Sequence, residues 1–255
     1  MAGKESGLGA RFYVGGYDLS GDIGALDTIS SPRGALDVTG IDKQANERIY
    51  GLKDGGMAFT SFFNPDTVAG GASRNAAHVV LSALPTSDVG VLYAHRATLG
   101  VPAACMIGKE IGYDPTRGAD GSFTFKTEVQ ANGYGLEWGK LLTAGTRTDT
   151  TATNGSSLDG AASSAFGLQA YLQVTAFTGT DVTIKLQDSA DNASWADLTA
   201  AAFTAVTTAP QTQRLQTARN ATVRRYLRAV TTTSAGFTSV SFAVVAMRNP
   251  VTVNF

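Results

Sequence analysis

Residues 168–187 read LQAYLQVTAFTGTDVTIKLQ, with apolar side chains on every second position. Leu168, Ala170, Leu172 and Val174 alternate with Gln169, Tyr171, Gln173 and Thr175, and Val182, Ile184 and Leu186 then alternate with Thr183, Lys185 and Gln187. Successive side chains of an extended chain point to opposite sides, so this period of two predicts strands with one buried face. Further strands are expected at Ala202–Val206, Arg214–Gln216, Val223–Val230 and Val240–Met247, parted by Gly, Pro, Asn and Ser clusters. Short strands with regular turn signals and no helical period predict a small antiparallel β-sandwich over residues 164–255.

Within it, residues 182–198, VTIKLQDSADNASWADL, form a hairpin whose bend holds Asp, Ser and Asn, residues that bond their own backbone in turns. Trp195 and Asp197 share one side of the returning strand and Ala196 and Leu198 the other, which leaves two orientations. The shortage of other large residues favours an inward Trp195, since one indole buries some 150–250 Å². In TVRRYLRAV, Arg224, Tyr226 and Arg228 fall on one face of a strand. A solvated face with Arg stacked on Tyr is the first reading, and an exterior contact with an anion or a partner is the alternative.

Upstream, residues 1–142 are also mostly β. Arg11–Tyr17, Met57–Phe63, Val89–His95 and Ser122–Asn132 read as strands, and Gly15-Gly16 reads as a turn. A flanking helix is expected from an N-cap at Ser73, through an apolar stripe of Ala76, Val79, Val80, Ala83 and Leu84, to a stop at Pro85. Shorter helical turns are expected at Leu26–Ser30 and Gln44–Ile49. Residues 143–163, TAGTRTDTTATNGSSLDGAAS, hold Leu158 as their one large apolar residue, too little burial to offset ordering, and so predict a flexible linker.

Charged residues are 16% of the 255, against roughly 25% in an average soluble domain, and 29 are Gly. So sparse a charged surface suits faces covered by partners. The net charge of −1 and the lack of a basic run argue against binding that depends on neutralising phosphates. Cys105, in VPAACMIG, has no second cysteine to pair with and reads as a small core residue. No signal-peptide pattern opens the sequence and no apolar run approaches the length of about 20 residues that spans a membrane, so a protein made in a cytoplasm is expected.

Signs of chemistry are few. His78 and His95 are the two histidines, and with Cys105 they supply no metal-ligand spacing. There is no G-x-S-x-G elbow and no phosphate-binding GxxxxGK[ST]. The stretch YDPTRGADGS, residues 113–122, has alternating oxygens but lacks the closing acid of a calcium loop, so it reads as a polar connection. The expectation is a protein that is not an enzyme and holds no cofactor.

The opening GARFYVGGYDLSGDIGALDTI, followed in order by FTSFFNPD, NAAHVVLSALP and VGVLYAHR, resembles the major tail tube proteins of long-tailed bacteriophages, particularly those of actinobacterial hosts. The resemblance covers about residues 8–142. It implies a β-sandwich with a flanking helix that assembles with itself into hexameric rings, stacked into the tube through which the genome passes. It also implies tape-measure and tail-terminator partners, non-specific passage of DNA through the lumen, and a place in the virion tail after assembly in the host cytoplasm. On position, residues 1–10 (Met1, Gly7, Ala10) match an N-terminal arm, and 34–56 (Gly34, Asp42, Glu47, Arg48, Gly56) match the long loop between rings. The second module resembles both the sandwiches that decorate such tails and carbohydrate-binding modules. The rival reading is therefore an adhesin, virion-displayed or secreted, that grips host-surface carbohydrate.

Overall fold

In the computed structural model, which describes residues 3–65, 77–83 and 87–250, the strand from Leu168 to Thr178 is buried on both faces rather than one. Its polar face, with Gln169, Tyr171 and Gln173, is covered by strands of the other half of the chain. That covering sets the architecture.

Nearly all regular structure is antiparallel β. The first half contributes β1 (Arg11–Val14), β2 (Tyr17–Asp18), β3 (Ile23–Ser30), β4 (Arg33–Asp37), β5 (Arg48–Lys53), β6 (Gly56–Phe62), the helix α1 (Ala77–Leu81), β7 (Val89–Ala94), β8 (Pro102–Arg117), β9 (Phe123–Ala131) and β10 (Glu137–Leu141). The second contributes β11 (Arg147–Asp149), β12 (Leu158–Asp159), β13 (Leu168–Thr178), β14 (Val182–Ser189), β15 (Trp195–Ala202), β16 (Gln211–Gln216), β17 (Tyr226–Thr233) and β18 (Ser239–Arg248). One large sheet runs β16-β13-β18-β10-β8-β7-β1-β2, with β9, β6 and β3 continuing from the far end of the long β8. A smaller sheet, β12-β17-β14-β15, faces β13 and β18, and β4 pairs with β5 alone.

Three hydrophobic cores stack between these layers. The first lies between the small sheet and one face of β13 and β18, with Leu172, Ile184, Leu186, Leu227, Phe242 and Val244. The second joins the opposite face of β13 and β18 to β1, β7, β8 and β10, through Tyr13, Leu92, Cys105, Leu141, Tyr171 and Val245. The third lies on the far face of β1, β7 and β8 against β6, β9 and α1, with Phe12, Val91, Met106, Phe59, Val129 and Leu81. β13, β18, β1, β7 and the first half of β8 are thus each buried on both sides, which explains the near-continuous apolar run of VGVLYA.

The middle core closes because the large sheet rolls until β13 and β16 reach β7 and the β1–β2 turn. At Gly16, in the left-handed region at φ 89°, an added Cβ would lie 2.5 Å from the amide nitrogen of Gln211; at Gly90 it would meet Thr212 at 2.8 Å. Gln173 bridges the same seam, accepting from the Gly16 N–H at 2.8 Å and donating to the Gly90 carbonyl at 3.0 Å. A polar face that a half-buried strand would turn to water here supplies the bonds of a buried contact.

The other expectations meet mixed outcomes. Residues 143–163 run along the second half: β11 pairs with β18, β12 with β17, and Asn154 bridges Val230. Backbone pairing holds this stretch where apolar burial is scarce, and buried Asp149 is fixed by Arg147 at 2.8 Å and by the Thr231 hydroxyl at 2.9 Å. The helical turn expected at Leu26–Ser30 is strand β3 instead, because its pairing with β6 overrides local propensity. The one expected at Gln44–Ile49 is turn and strand leading into β5. Of the expected helix, Ala77–Leu81 is observed, with Ala77 and Leu81 buried, whereas Ser73, Ala76, Leu84 and Pro85 lie outside the described residues.

Candidate self-assembly surfaces

β4 and β5 form an arm that pairs with no other strand among the described residues. It leaves the body where the Asp54 N–H bonds the Pro32 carbonyl and the Leu136 N–H bonds the Asp54 carbonyl. Every residue of β4 is exposed, and the arm presents Leu36 (54% exposed), Ile49 (53%), Tyr50 (80%) and Leu52 (89%), with Ile41 at its tip wholly exposed. Leu36 opposes Ile49 on one face; Tyr50 opposes Ala35 on the other, beside the Asp37 and Arg48 pair, and the register shifts between Tyr50 and Lys53. Both sides of the arm therefore carry exposed apolar side chains, on the second side next to a charged pair. At the base Gly34 and Gly51 face each other so closely that a Cβ on Gly51 would lie 3.3 Å from the Gly34 Cα.

The positions matched to the long loop divide accordingly. Gly34, Asp42, Glu47 and Arg48 belong to the arm, while Gly56 begins β6 in the body. Asp37 accepts from the Thr39 amide at 2.9 Å and its hydroxyl at 2.6 Å, bonds that hold its carboxyl below the usual carboxylate range, and Lys43 pairs with Glu47 at 3.4 Å. The strand alternation of Leu36 and Val38 against Ile49 is the signal that could have shown the arm, but it is short and interrupted by glycine and charge.

Of the N-terminal positions, Met1 lies outside the described residues, Gly7 is exposed and Ala10 half-buried. Leu8 between them is 82% exposed, and Glu5 reaches His95 at 3.0 Å and Arg96 at 3.7 Å. A segment with an exposed leucine, tied to the body through one carboxylate, is suited to lie against a neighbour.

The second half offers the outer face of the small sheet. The bend of its β14–β15 hairpin is held by the Asp191 carboxylate, which accepts from the Ala193 and Ser194 amides at 2.9 and 2.7 Å and is pushed below the usual carboxylate range by them. Trp195 does not point into the core. It opposes Ser189 in register and lies half-buried on the outer face, with the Arg228 guanidinium 4.2 Å above its ring. Arg228 also bonds Gln187, and Tyr226 lies on this face with Arg225 over its ring. Arg224 is placed apart from them, gripping buried Asp188 at 2.6 Å before the strand begins.

Beside the arm's base the first and second halves are pinned by a polar cluster. Glu137 accepts from Tyr171 at 2.6 Å and from Arg214 at 3.1 Å, and Arg214 stacks on Tyr134 at 3.8 Å. Burial, and next to it the charge of Glu137, holds the Tyr171 hydroxyl far above its ordinary value.

No protein-family profile matches the chain, and no curated protein matches it. Among solved structures, a similar chain is SPP1 Dit (gp 19.1), titled a paradigm of the hub adsorption apparatus in phages infecting Gram-positive hosts. It is 11% identical, with 94% of this chain and 99% of that chain covered and a TM-score of 0.32. A likeness at this level carries no argument. What the structure establishes is a mainly β protein with antiparallel sheets.

Proposed function

We propose that this chain is a structural subunit of a bacteriophage tail, which assembles with copies of itself into stacked, six-membered rings forming the tail tube. The arm carries this reading. An isolated two-stranded ribbon is marginally stable in water at best, and with exposed apolar side chains on both faces it gains most when inserted between two surfaces. Within the chain, among the described residues, the arm has no such surfaces. Copies supply them, and a contact between unlike patches repeats from subunit to subunit until it closes a ring or extends a stack. The order of motifs that resembles tail tube proteins supports the same conclusion.

On this reading the polar outer face of β6 and β9, with Thr60, Thr124, Lys126, Glu128 and Gln130, lines the bore past which DNA slides. Its mixed charge and neutral groups would hold no phosphate tightly. Tape-measure and terminator proteins would set tube length, the small sheet would face outward, and the assembled protein would reside in the virion. Electron microscopy of the concentrated full chain tests this: hollow stacks of six-membered rings are expected, and a chain that stays dispersed at every concentration refutes it.

The Trp195, Arg228 and Tyr226 face favours a second reading, a virion-displayed or secreted adhesin that stacks sugar rings on an aromatic surface. A glycan array in which the full chain binds host polysaccharide while Trp195→Ala does not would support it.

A further inference from the structure

An open groove of about 630 Å³ lies between β10 and the Leu158–Ala161 stretch, on the outside of the body. Its floor is apolar, made by Leu142, Leu227, Ala246 and Met247, with Leu158 on one wall. On the opposite rim Trp138, 52% exposed, and Lys140 stand two residues apart on β10 and so on one face. The Lys140 backbone pairs with Pro102 and Ala246, while its side chain has no ion pair or hydrogen bond among the described residues. The nearby acids are committed elsewhere, Asp159 to Arg225 at 2.6 Å and Glu137 to Arg214. Arg248, which also lines the groove, spends its guanidinium on the carbonyls of Ala162, Val223, Arg224 and Arg225. The groove thus offers an apolar floor with Lys140 as the edge cation whose side chain makes no bond among the described residues.

The arm tip has the matching features. Ile41 is wholly exposed, and the next residue, Asp42, is an acid with no ion pair or hydrogen bond among the described residues. The other acids near the tip, Asp37 and Glu47, are engaged within the arm. The five or six extended residues of each arm strand carry this tip about 17–20 Å outward, far enough to meet another molecule.

We propose that the groove is the receptor for the arm tip of a second copy of this chain, with Ile41 on the apolar floor beside Trp138 and Asp42 paired with Lys140. This rests on the self-assembly reading above and names the surface that the arm engages. Arm and groove are different patches, so the contact is heterologous and each copy both gives and receives. The groove's size is within the range that encloses a compact ligand, enough for a turn led by one isoleucine. The charge pair sets which way the tip enters, as charges at an interface rim commonly do.

Charge exchange in the full chain is the test, read by sedimentation velocity as the concentration at which assembly begins. Asp42→Lys alone and Lys140→Asp alone are each expected to raise that concentration about tenfold or more, and the double variant to return it to within about threefold of the parent. Ile41→Ser is expected to weaken assembly about as much. With Trp195→Phe in the background Trp138 is the single tryptophan, and its emission should shift to shorter wavelength on assembly and stay unshifted with Ile41→Ser. Ile41, Asp42 and Lys140 are exposed, so far-ultraviolet dichroism and melting unchanged from the parent, or from the Trp195→Phe background where that is used, will show that each variant folds. If shortening the arm blocks assembly while both charge variants assemble like the parent, the receptor lies elsewhere and this inference fails while the self-assembly reading stands. If the arm-shortened chain still assembles, or the parent never does, both fail.

Discussion

Glu110 opposes Val129 on β8 and β9, so its carboxyl group enters the core, where neither oxygen has a hydrogen-bond partner among the described residues. The buried hydroxyls of Ser61 and Thr127 in the same layer also lack partners among the described residues, and burial pushes the Glu110 carboxyl up to about 8. In the unfolded chain a glutamate ionises near 4.3, roughly. Between that pH and about 8 the folded state keeps a proton that the unfolded state has released, so stability is fullest in acid and falls as pH rises through the window. Glu110→Gln removes the titration and should raise the melting temperature at pH 8 by about 4–8 °C, the shift of a 2 kcal/mol gain in a chain of this length. At acid pH it should change little; equal effects at both ends would show that Glu110 is not the group responsible. Trp195 makes a second case at this scale. The alternation that puts it with Asp197 on one face holds, but the first core is filled by Phe203 and Phe242, so the indole is left outside. Its contact under Arg228 is worth about 1 kcal/mol, and Trp195→Ala should lower the melting temperature by about 2–4 °C. An unchanged melt would mean that the stack contributes nothing.

Among the elements, the arm is the one whose stability is least its own. Its backbone bonds are exposed and it buries almost nothing, so in the dispersed chain its amides should exchange with solvent orders of magnitude faster than those of β13, which is covered on both faces. Replacing residues 38–47 by a short turn should leave the melting temperature within about 2 °C while abolishing assembly; a collapse of the melt would show that the arm supports the body. Strands with a strong period of two, such as β9, β13 and β14, are legible in the sequence to within a few residues. β8 is not, because Gly112 and Pro115 in its second half signal a loop. The structure shows why a proline is allowed there: beyond Ile111, β8 pairs with β9 alone among the described residues, which leaves its other side an edge. Nor are the apolar residues of the arm legible as a surface, since a pattern of alternation carries no information on whether anything covers it.

For the whole molecule, two modules were the natural expectation from the apolar-poor stretch at 143–163, yet the middle core takes its residues from both sides of it. β10 pairs with β18 at Lys140 and Leu141, Gln173 bonds Gly16 and Gly90, and the Glu137 cluster ties Arg214 and Tyr171 to the first half. Composition reports how much a segment can bury, not which distant strands its neighbours will meet, so this coupling had no local signal. Its thermodynamic consequence is that parting the halves would expose Tyr13, Leu92, Cys105, Tyr171 and Val245 together, about as costly as unfolding either half. Calorimetry of the full chain should therefore show one cooperative transition, with its van't Hoff and calorimetric enthalpies equal. Cys105 gives an independent reading of the same event, because its thiol is fully buried in the shared core and burial holds it well above the ordinary thiol range. A thiol reagent should label it no faster than the chain unfolds globally. Two separated transitions, or labelling of Cys105 under conditions where the small sheet and the far core both remain folded, would mean that the halves come apart as units and that the continuous sheet adds little to their stability.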